Sequence, residues 1–294
     1  MSAAGRREFR VLVAFAAIGF ALAGVITLAL SGGGPRTSVG AGVSGRSTPI
    51  ERAAYVTSAA PGYKFAIDVT GSALGRSFTV GGTGWINPGG RGSLQMSVAG
   101  VSISEVFVYP EIYIRTPALP SGASLAPTPW IKASLTPLLQ SAGASSSVGS
   151  NTDPSQMVDY LKSSGAVAVV GGEWVRGVPT THYHALVDLD RYPSVLPPSL
   201  RGTASKQAKL LERMTGQSTL PVDVWIDGSN RVRRLAMQMS LCSPVGTVSE
   251  SFQMDLYDYG RQPPVHVPAA SEVTDLTSQL SSHTTQALQQ MHCS

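Results

Sequence analysis

Cysteine is almost absent from this chain: Cys242 and Cys293 are the two among 294 residues, and no C-x-x-C spacing occurs. A thioredoxin-like redox centre and a zinc ribbon are thereby excluded, since both need closely spaced thiols. Charge is also scarce. Asp, Glu, Lys and Arg make up 14% of the residues and the net charge is +4, of which residues 1–10 (Arg6, Arg7 and Arg10 against Glu8) account for +2. No Lys/Arg block with interleaved aromatics follows, so the basic footprint that a phosphate backbone demands is missing and nucleic-acid binding is excluded. There is no G-x-S-x-G elbow to present a hydrolase nucleophile. Asp223, Asp227, Glu250, Asp255 and Asp258 are scattered along the chain, and nothing in their spacing singles out a carboxylate pair. The expectation is a protein without catalytic residues, metal or cofactor.

Long apolar runs are absent too, with one exception. Val11 to Leu30 is a 20-residue stretch without a charge, and a helix of that length crosses a bilayer core of about 30 Å. Three arginines precede it, whereas the Gly/Ser-rich stretch from Ser31 to Ser47 is less basic. The positive-inside rule then leaves the N-terminus in the cytoplasm and the remainder outside. Two readings of the run stay open. It is an uncleaved anchor, or it is a signal peptide cut near Ala29–Ser31, which would make the protein secreted. No Cys follows the run, so a lipobox is absent. The expected organisation is a cytoplasmic segment 1–10, a transmembrane anchor or signal peptide 11–30, a flexible linker 31–47 and an extracytoplasmic domain 48–294. Export would permit a disulfide between Cys242 and Cys293, closing a loop of about 50 residues. The alternative is that both thiols stay free, since Cys293 lies beside the chain end, where chains fray.

What the sequence has in plenty is glycine (31) and proline (20), with 43% hydrophobic residues. That composition favours a turn-rich β fold with a sizeable core. A capped helix is expected at Thr48–Ala59, with Pro49 at its first position and Glu51 behind the cap. From Tyr63 the apolar period becomes two: Tyr63, Phe65, Ile67 and Val69 share a face, and "RSFTVGGTGWI", "GSLQMSV" and "EVFVYPEIYIRT" follow at hairpin spacing. In the last of these, Val106, Val108, Ile112 and Ile114 read as one inward set. The glycines of "VGGTGW" precede no helix and point to bending of a strand instead of a phosphate loop.

"PWIKASLTPLLQSAG" reads as a short broken helix. "NTDPSQMVDYLKSSG" reads as a better one, capped by Asp153 and stopped by Gly165. Strands return with "AVAVVGGEWVRGV" and "TTHYHALVDLDR". A helical stretch over 191–216 is broken by Pro197-Pro198, and three more strands follow. A polar amphipathic helix is expected over about 270–290. The total is nine or ten antiparallel strands with helices inserted. On two neighbouring strands, Leu235, Met237, Met239 and Leu241 share a face, as do Phe252, Met254 and Leu256. These faces suit ordinary core or the lining of an apolar cavity, for which methionine is adaptable.

Other candidates each carry a plain alternative. His182 and His184 stand two apart on one strand face, continued by Asp188 and Asp190. Two imidazoles at that spacing would need a third ligand to hold zinc, and the polar face they share is the solvated one. Arg231, Arg233 and Arg234 after the "DGSN" turn suit a solvated sheet edge or a lipid headgroup contact. Trp85, Trp130, Trp174 and Trp225 suit core or rim positions.

Three stretches carry a resemblance: "VVGGEWVRGVPTTHYHALVDL" (169–189), "LPVDVWIDGSNRVRRL" (220–235) and "MDLYDYGRQPPVHVPAASEVTDLT" (254–277). With "DPSQMVDYLKSSG" they span most of residues 60–277. Their order and spacing resemble the LppX/LprAFG family of actinobacterial cell-envelope lipid carriers. The resemblance implies a LolA-like α+β fold: a strongly curved antiparallel half-barrel with helices on its concave side, enclosing an apolar cavity. It also implies binding of acylated lipids or glycolipids without covalent chemistry. Family carriers are often anchored through a lipidated Cys, and this chain has an apolar span in that place. The expected function is therefore a membrane-anchored envelope protein that binds a lipid or other long apolar ligand and aids its transfer. The candidate lining residues are Val106, Val108, Ile112, Ile114, Leu235, Met237, Met239, Leu241, Phe252, Met254 and Leu256. The alternative is an envelope sensor of the same fold that acts through a protein partner and holds no lipid.

Overall fold

The computed structural model describes residues 48–73, 76–98, 101–108, 110–115, 126–134, 160–196, 198–243 and 246–279. The expected segments 1–10, 11–30 and 31–47 lie outside the described residues, as does Cys293 and with it the Cys242–Cys293 pairing. Among the described residues no helix is long and apolar enough to cross a membrane.

The alternating pattern that begins at Tyr63 builds one large curved sheet. Its strands are β1 (Tyr63–Ala73), β2 (Arg76–Asn87), β3 (Arg91–Val98), β4 (Val101–Val108), β5 (Glu111–Arg115), β6 (Trp130–Ser134), β7 (Ser164–Val175), β8 (Val178–Asp188), β9 (Thr219–Asp227), β10 (Val232–Ser243), β11 (Gly246–Tyr257) and β12 (Val273–Asp275). The spatial order is β12-β6-β5-β4-β3-β2-β1-β11-β10-β9-β8-β7. Neighbours are antiparallel except β12, which runs parallel to β6. Two hairpin runs are thus joined where β1 meets β11.

Register places the apolar sets on one face. Ile67 pairs with Met254 and Met254 with Leu235; Val69 pairs with Phe252 and Phe252 with Met237. Because side chains alternate along a strand, these residues line up across the sheet as inward rows. Close approach at β3 requires glycine. A Cβ on Gly92 would stand 2.3 Å from the Phe107 ring, which fills the space above it. Glycines at such places allow a neighbouring ring to lie flat on the backbone and the sheet to bend.

Helix α1 (Pro49–Ser58) is capped as the sequence predicts: Glu51 N–H donates to Thr48 Oγ1 at 3.1 Å and Thr48 N–H donates to Glu51 Oε2 at 2.9 Å. Its buried stripe is Ile50, Ala53, Ala54 and Thr57, the i, i+3, i+4, i+7 face of an amphipathic helix. Helix α2 (Pro198–Thr215) buries Ala204, Gln207, Ala208, Leu211 and Met214. Both helices join the same core cluster as the inward strand residues, so they lie on the sheet's inner face.

Several expectations are corrected. Trp130–Ser134 is a strand and not part of a broken helix: Ile131 and Ala133 alternate inward against Ile114 and Ile112 of β5, and pairing on both sides overrides local propensity; the rest of that expected helix, 135–143, lies outside the described residues. Where the expected helix over about 270–290 would begin, a short 3-10 turn (Ala270–Glu272) leads into β12, which pairs with β6; residues 277–279 are helical, and the remainder of that helix lies outside the described residues. These two strands raise the count among the described residues to twelve. On β4 the inward residues are Ile103, Glu105 and Phe107, so Val106 and Val108 stand half-buried on the opposite face. The helix expected from Asp153 is described from Tyr160 onward, where a 3-10 turn at Leu161–Ser163 ends as β7 begins.

Candidate functional site

The inner face of the sheet is an apolar wall. From β1 to β6 it presents Phe65, Ile86, Leu94, Met96, Ile103, Phe107, Ile112, Ile114, Ile131 and Ala133, all buried. From β8 to β11 it presents Ala185, Val187, Leu220, Val222, Val224, Leu235, Phe252, Met254 and Leu256. The candidates Ile112, Ile114, Leu235, Phe252, Met254 and Leu256 thus lie in the buried wall, and Met237 packs against it partly buried. Leu241 is opposite Val248 on β11. Met237 and Met239 border a small apolar cavity with Tyr160, Leu161, Leu211 and Val222, whose volume is about 30 Å³. That is room for a water or two, not for an acyl chain.

Among the fully buried residues of the wall, Glu105 breaks the apolar character; Glu250, opposite Met239 on the same face, is partly buried. Glu105 pairs with Leu94 on one side and Ile114 on the other, and is 1% exposed. Its Oε2 has no hydrogen-bond partner. Burial lifts its carboxyl to about 8, so at neutral pH it holds its proton. Strand parity read on Val106 and Val108 passed over it. The signal available was the flanking pair Ile103 and Phe107, which share its face.

At the end of the sheet where β1 passes to β2 and β10 to β11 lies a groove of about 700 Å³ bordered by Phe78, Gln217, Pro221, Met239 and Glu250. Burial raises the Glu250 carboxyl above its ordinary value. A second groove of about 660 Å³ lies among Pro61, Asn87, Arg91, Arg261 and Gln262.

The outer face is polar and tightly paired. His182 Nε2 lies 2.9 Å from Asp223 Oδ1, and its Nδ1 lies 3.1 Å from Glu173 Oε1. The ring stacks on Trp225 at 4.0 Å, and Trp225 Nε1 donates to Glu173 Oε2 at 2.8 Å. That bond, followed by His182, draws the Glu173 carboxyl below its ordinary value against the opposing effect of burial. His184 Nδ1 lies 3.2 Å from the same Asp223 oxygen. Among the described residues no group of three His, Cys, Asp or Glu is placed to hold a metal ion. This pairing explains why Trp225 is buried on an outer face, whereas Trp174 on edge strand β7 is 71% exposed.

The arginines after the turn are not a solvated edge, because β10 is an interior strand between β9 and β11. Arg233 Nε donates to Asp227 Oδ2 at 2.7 Å and Arg231 Nε to the same oxygen at 3.1 Å. Arg234 Nε donates to Asp255 Oδ1 at 2.6 Å, and Arg176 Nε donates to Asp255 Oδ2 at 3.0 Å. A register shift between Val232 and Arg234 is what lets Arg233 turn back to Asp227. The Tyr259 hydroxyl donates to the Val232 carbonyl, and Val232 N–H donates to Thr57 Oγ1 at 2.9 Å, which ties this hairpin to α1.

No protein-family model matches this chain. A Streptomyces griseus protein described as an uncharacterized 31.2 kDa protein in the rplA-rplJ intergenic region is 32% identical over 157 residues, 51% of this chain and 49% of that protein. The chain therefore spans about half the length of the curated relative it matches. Among solved structures it is similar to the Mycobacterium tuberculosis lipoprotein LppX, with a TM-score of 0.41 at 15% identity over 74% of this chain and 96% of that chain. It is also similar to LprF from Mycobacterium bovis, with a TM-score of 0.38 at 14% identity over 76% of this chain and 96% of that chain.

Proposed function

We propose that this chain is a non-enzymatic cell-envelope protein that binds a lipid or glycolipid along the inner face of its sheet and aids its transfer. The observation that carries this reading is the wall itself: a continuous buried apolar surface over β1–β6 and β8–β11, interrupted in its buried part at Glu105, whose Oε2 has no hydrogen-bond partner. Binding would move acyl-chain area out of water at about 25 cal/mol per Å². An apolar wall suits that transfer, because a charge in it would be costly. The sequence resemblance of residues 169–189, 220–235 and 254–277 to envelope lipid carriers supports the same reading. In this proposal residues 11–30 anchor the domain with the N-terminus in the cytoplasm. A fixed anchor favours handing lipid to a neighbour over free shuttling.

A second reading is an envelope interaction module that holds no lipid. Two observations favour it. The apolar cavity under α2 measures about 30 Å³, and β7 forms one edge of the sheet with Val169, Val170 and Trp174 exposed, as a strand-pairing surface would have.

Native mass spectrometry of the full chain, purified under gentle conditions from its own envelope, separates the two. Co-purifying lipid is the expected result. A clean unliganded mass would reject the carrier in favour of the interaction module.

A further inference from the structure

We propose that Glu105 is the polar anchor of the ligand site, its carboxyl hydrogen-bonding an uncharged oxygen, an ester carbonyl or hydroxyl, of an acylated ligand lying on the wall. This rests on the lipid-binding reading and adds to it where along the wall the ligand's polar group sits and what its chemistry is. The geometry is specific. Glu105 is on the inward row of β4, between Ile103 and Phe107 along the strand and between Leu94 and Ile114 across it, all four buried. Its backbone carbonyl is already engaged by the Ser93 hydroxyl at 3.0 Å, but side-chain Oε2 has no partner.

A carboxyl in such a place costs stability and does nothing for an apolar core that a leucine would not do better. Buried polar groups are nearly always paired, and an unpaired one needs an explanation; of the unpaired atoms, Glu105 Oε2 is the one on a carboxyl within the sheet's inward apolar rows. The chemistry narrows that partner. A carboxylic acid among Leu94, Ile103, Phe107 and Ile114 is neutral and acts as a donor to oxygen. A phosphate or carboxylate headgroup would be a poor fit, because among the described residues the wall offers it no cation: the arginines of β10 are on the outer face or at its turn, bound to Asp227 and Asp255. A neutral ester or hydroxyl fits, with its chains spread over the flanking isoleucines and methionines.

The test is equilibrium binding of radiolabelled dioleoylglycerol and radiolabelled hexadecane to the full chain in detergent solution, comparing wild type with Glu105→Leu and Glu105→Gln. The expected result is that Glu105→Leu loses about ten-fold in affinity for dioleoylglycerol with hexadecane unchanged, the size of one lost buried hydrogen bond. Glu105→Gln, which keeps a donor, stays within about three-fold of wild type. Equal effects of Glu105→Leu on both probes, including no effect on either, would overturn the assignment of Glu105 and leave lipid binding standing. Wild-type protein that takes up neither probe would overturn both. A melting temperature for Glu105→Leu at or above that of wild type shows that the fold is intact.

Discussion

Gly84 of β2 lies beneath the ring of its cross-strand partner Phe65: a Cβ there would stand 2.5 Å from Phe65 Cζ and 2.4 Å from the Ser93 carbonyl oxygen. The ring could rotate away, but the carbonyl belongs to the backbone of β3 and cannot. Gly84→Ala is therefore expected to destabilise by about 1–3 kcal/mol through forced displacement of packed strands. Gly81, on the same strand, would meet nothing nearer than Asp68 Oδ1 at 4.0 Å, so Gly81→Ala is expected to stay within about 0.5 kcal/mol of wild type. Thermal unfolding of the two variants side by side checks this, and equal losses would refute the packing account.

Asp227 closes the β9–β10 turn. Its Oδ1 accepts from Ser229 N–H at 2.8 Å and Arg231 N–H at 2.9 Å, and its Oδ2 from Arg233 and Arg231. Burial alone would raise its carboxyl, but these bonds outweigh burial and hold it below its ordinary value of 3.8. A depressed folded value means that its stabilisation is present above about pH 4 and is lost as pH falls through the folded value. Asp227→Ala is expected to cost about 2–3 kcal/mol at pH 7, because it strands buried donors. The difference from wild type should shrink as pH falls below the ordinary carboxylate value, as read from urea midpoints; a difference independent of pH would contradict the charge-based account.

Glu105 shifts in the other direction. Its carboxyl stands at about 8 in the fold against an ordinary 4.5, so the folded protein keeps a proton that the unfolded chain releases. Stability therefore falls as pH rises from about 4.5 to 8, by at most about 1.4 kcal/mol per unit. Glu105→Gln should remove that slope. Parallel denaturation curves at pH 5, 6, 7 and 8 for the two proteins would show it, and slopes that match would argue against a neutral buried carboxyl.

Thr57 holds α1 to the sheet through the buried Val232 N–H. Thr57→Val preserves shape and removes the acceptor, which leaves a backbone donor buried without a partner. A loss of about 1–3 kcal/mol is expected, while Thr57→Ser, which keeps the hydroxyl oxygen, should lose less. Hydrogen exchange at Val232 offers a local readout: its protection should drop in Thr57→Val.

Local pattern made much of the fold legible. The period of two from Tyr63, the turn residues between strands and the capping box at Thr48–Glu51 depend on neighbours in sequence, and they marked β1–β5, β7–β11 and both helices. The pairing of the Leu235/Met237 face with the Phe252/Met254 face followed from hairpin spacing. Strand parity failed at β4, because Val106 and Val108 on one parity compete with Ile103 and Phe107 on the other, and a glutamate inside the true inward set disguises it. Only long-range packing against Leu94 and Ile114 decides between them. The same holds for β6 and β12, five and three residues long, too short to hold a strand conformation without partners from distant parts of the chain. The burial of Glu105, the link from Asp227 to two arginines, and the sandwich of His182 between Trp225 and two carboxylates were likewise decided by the tertiary structure. Each depends on which strands meet, and a linear sequence specifies alternation along a strand far more strongly than the identity of the strand lying next to it.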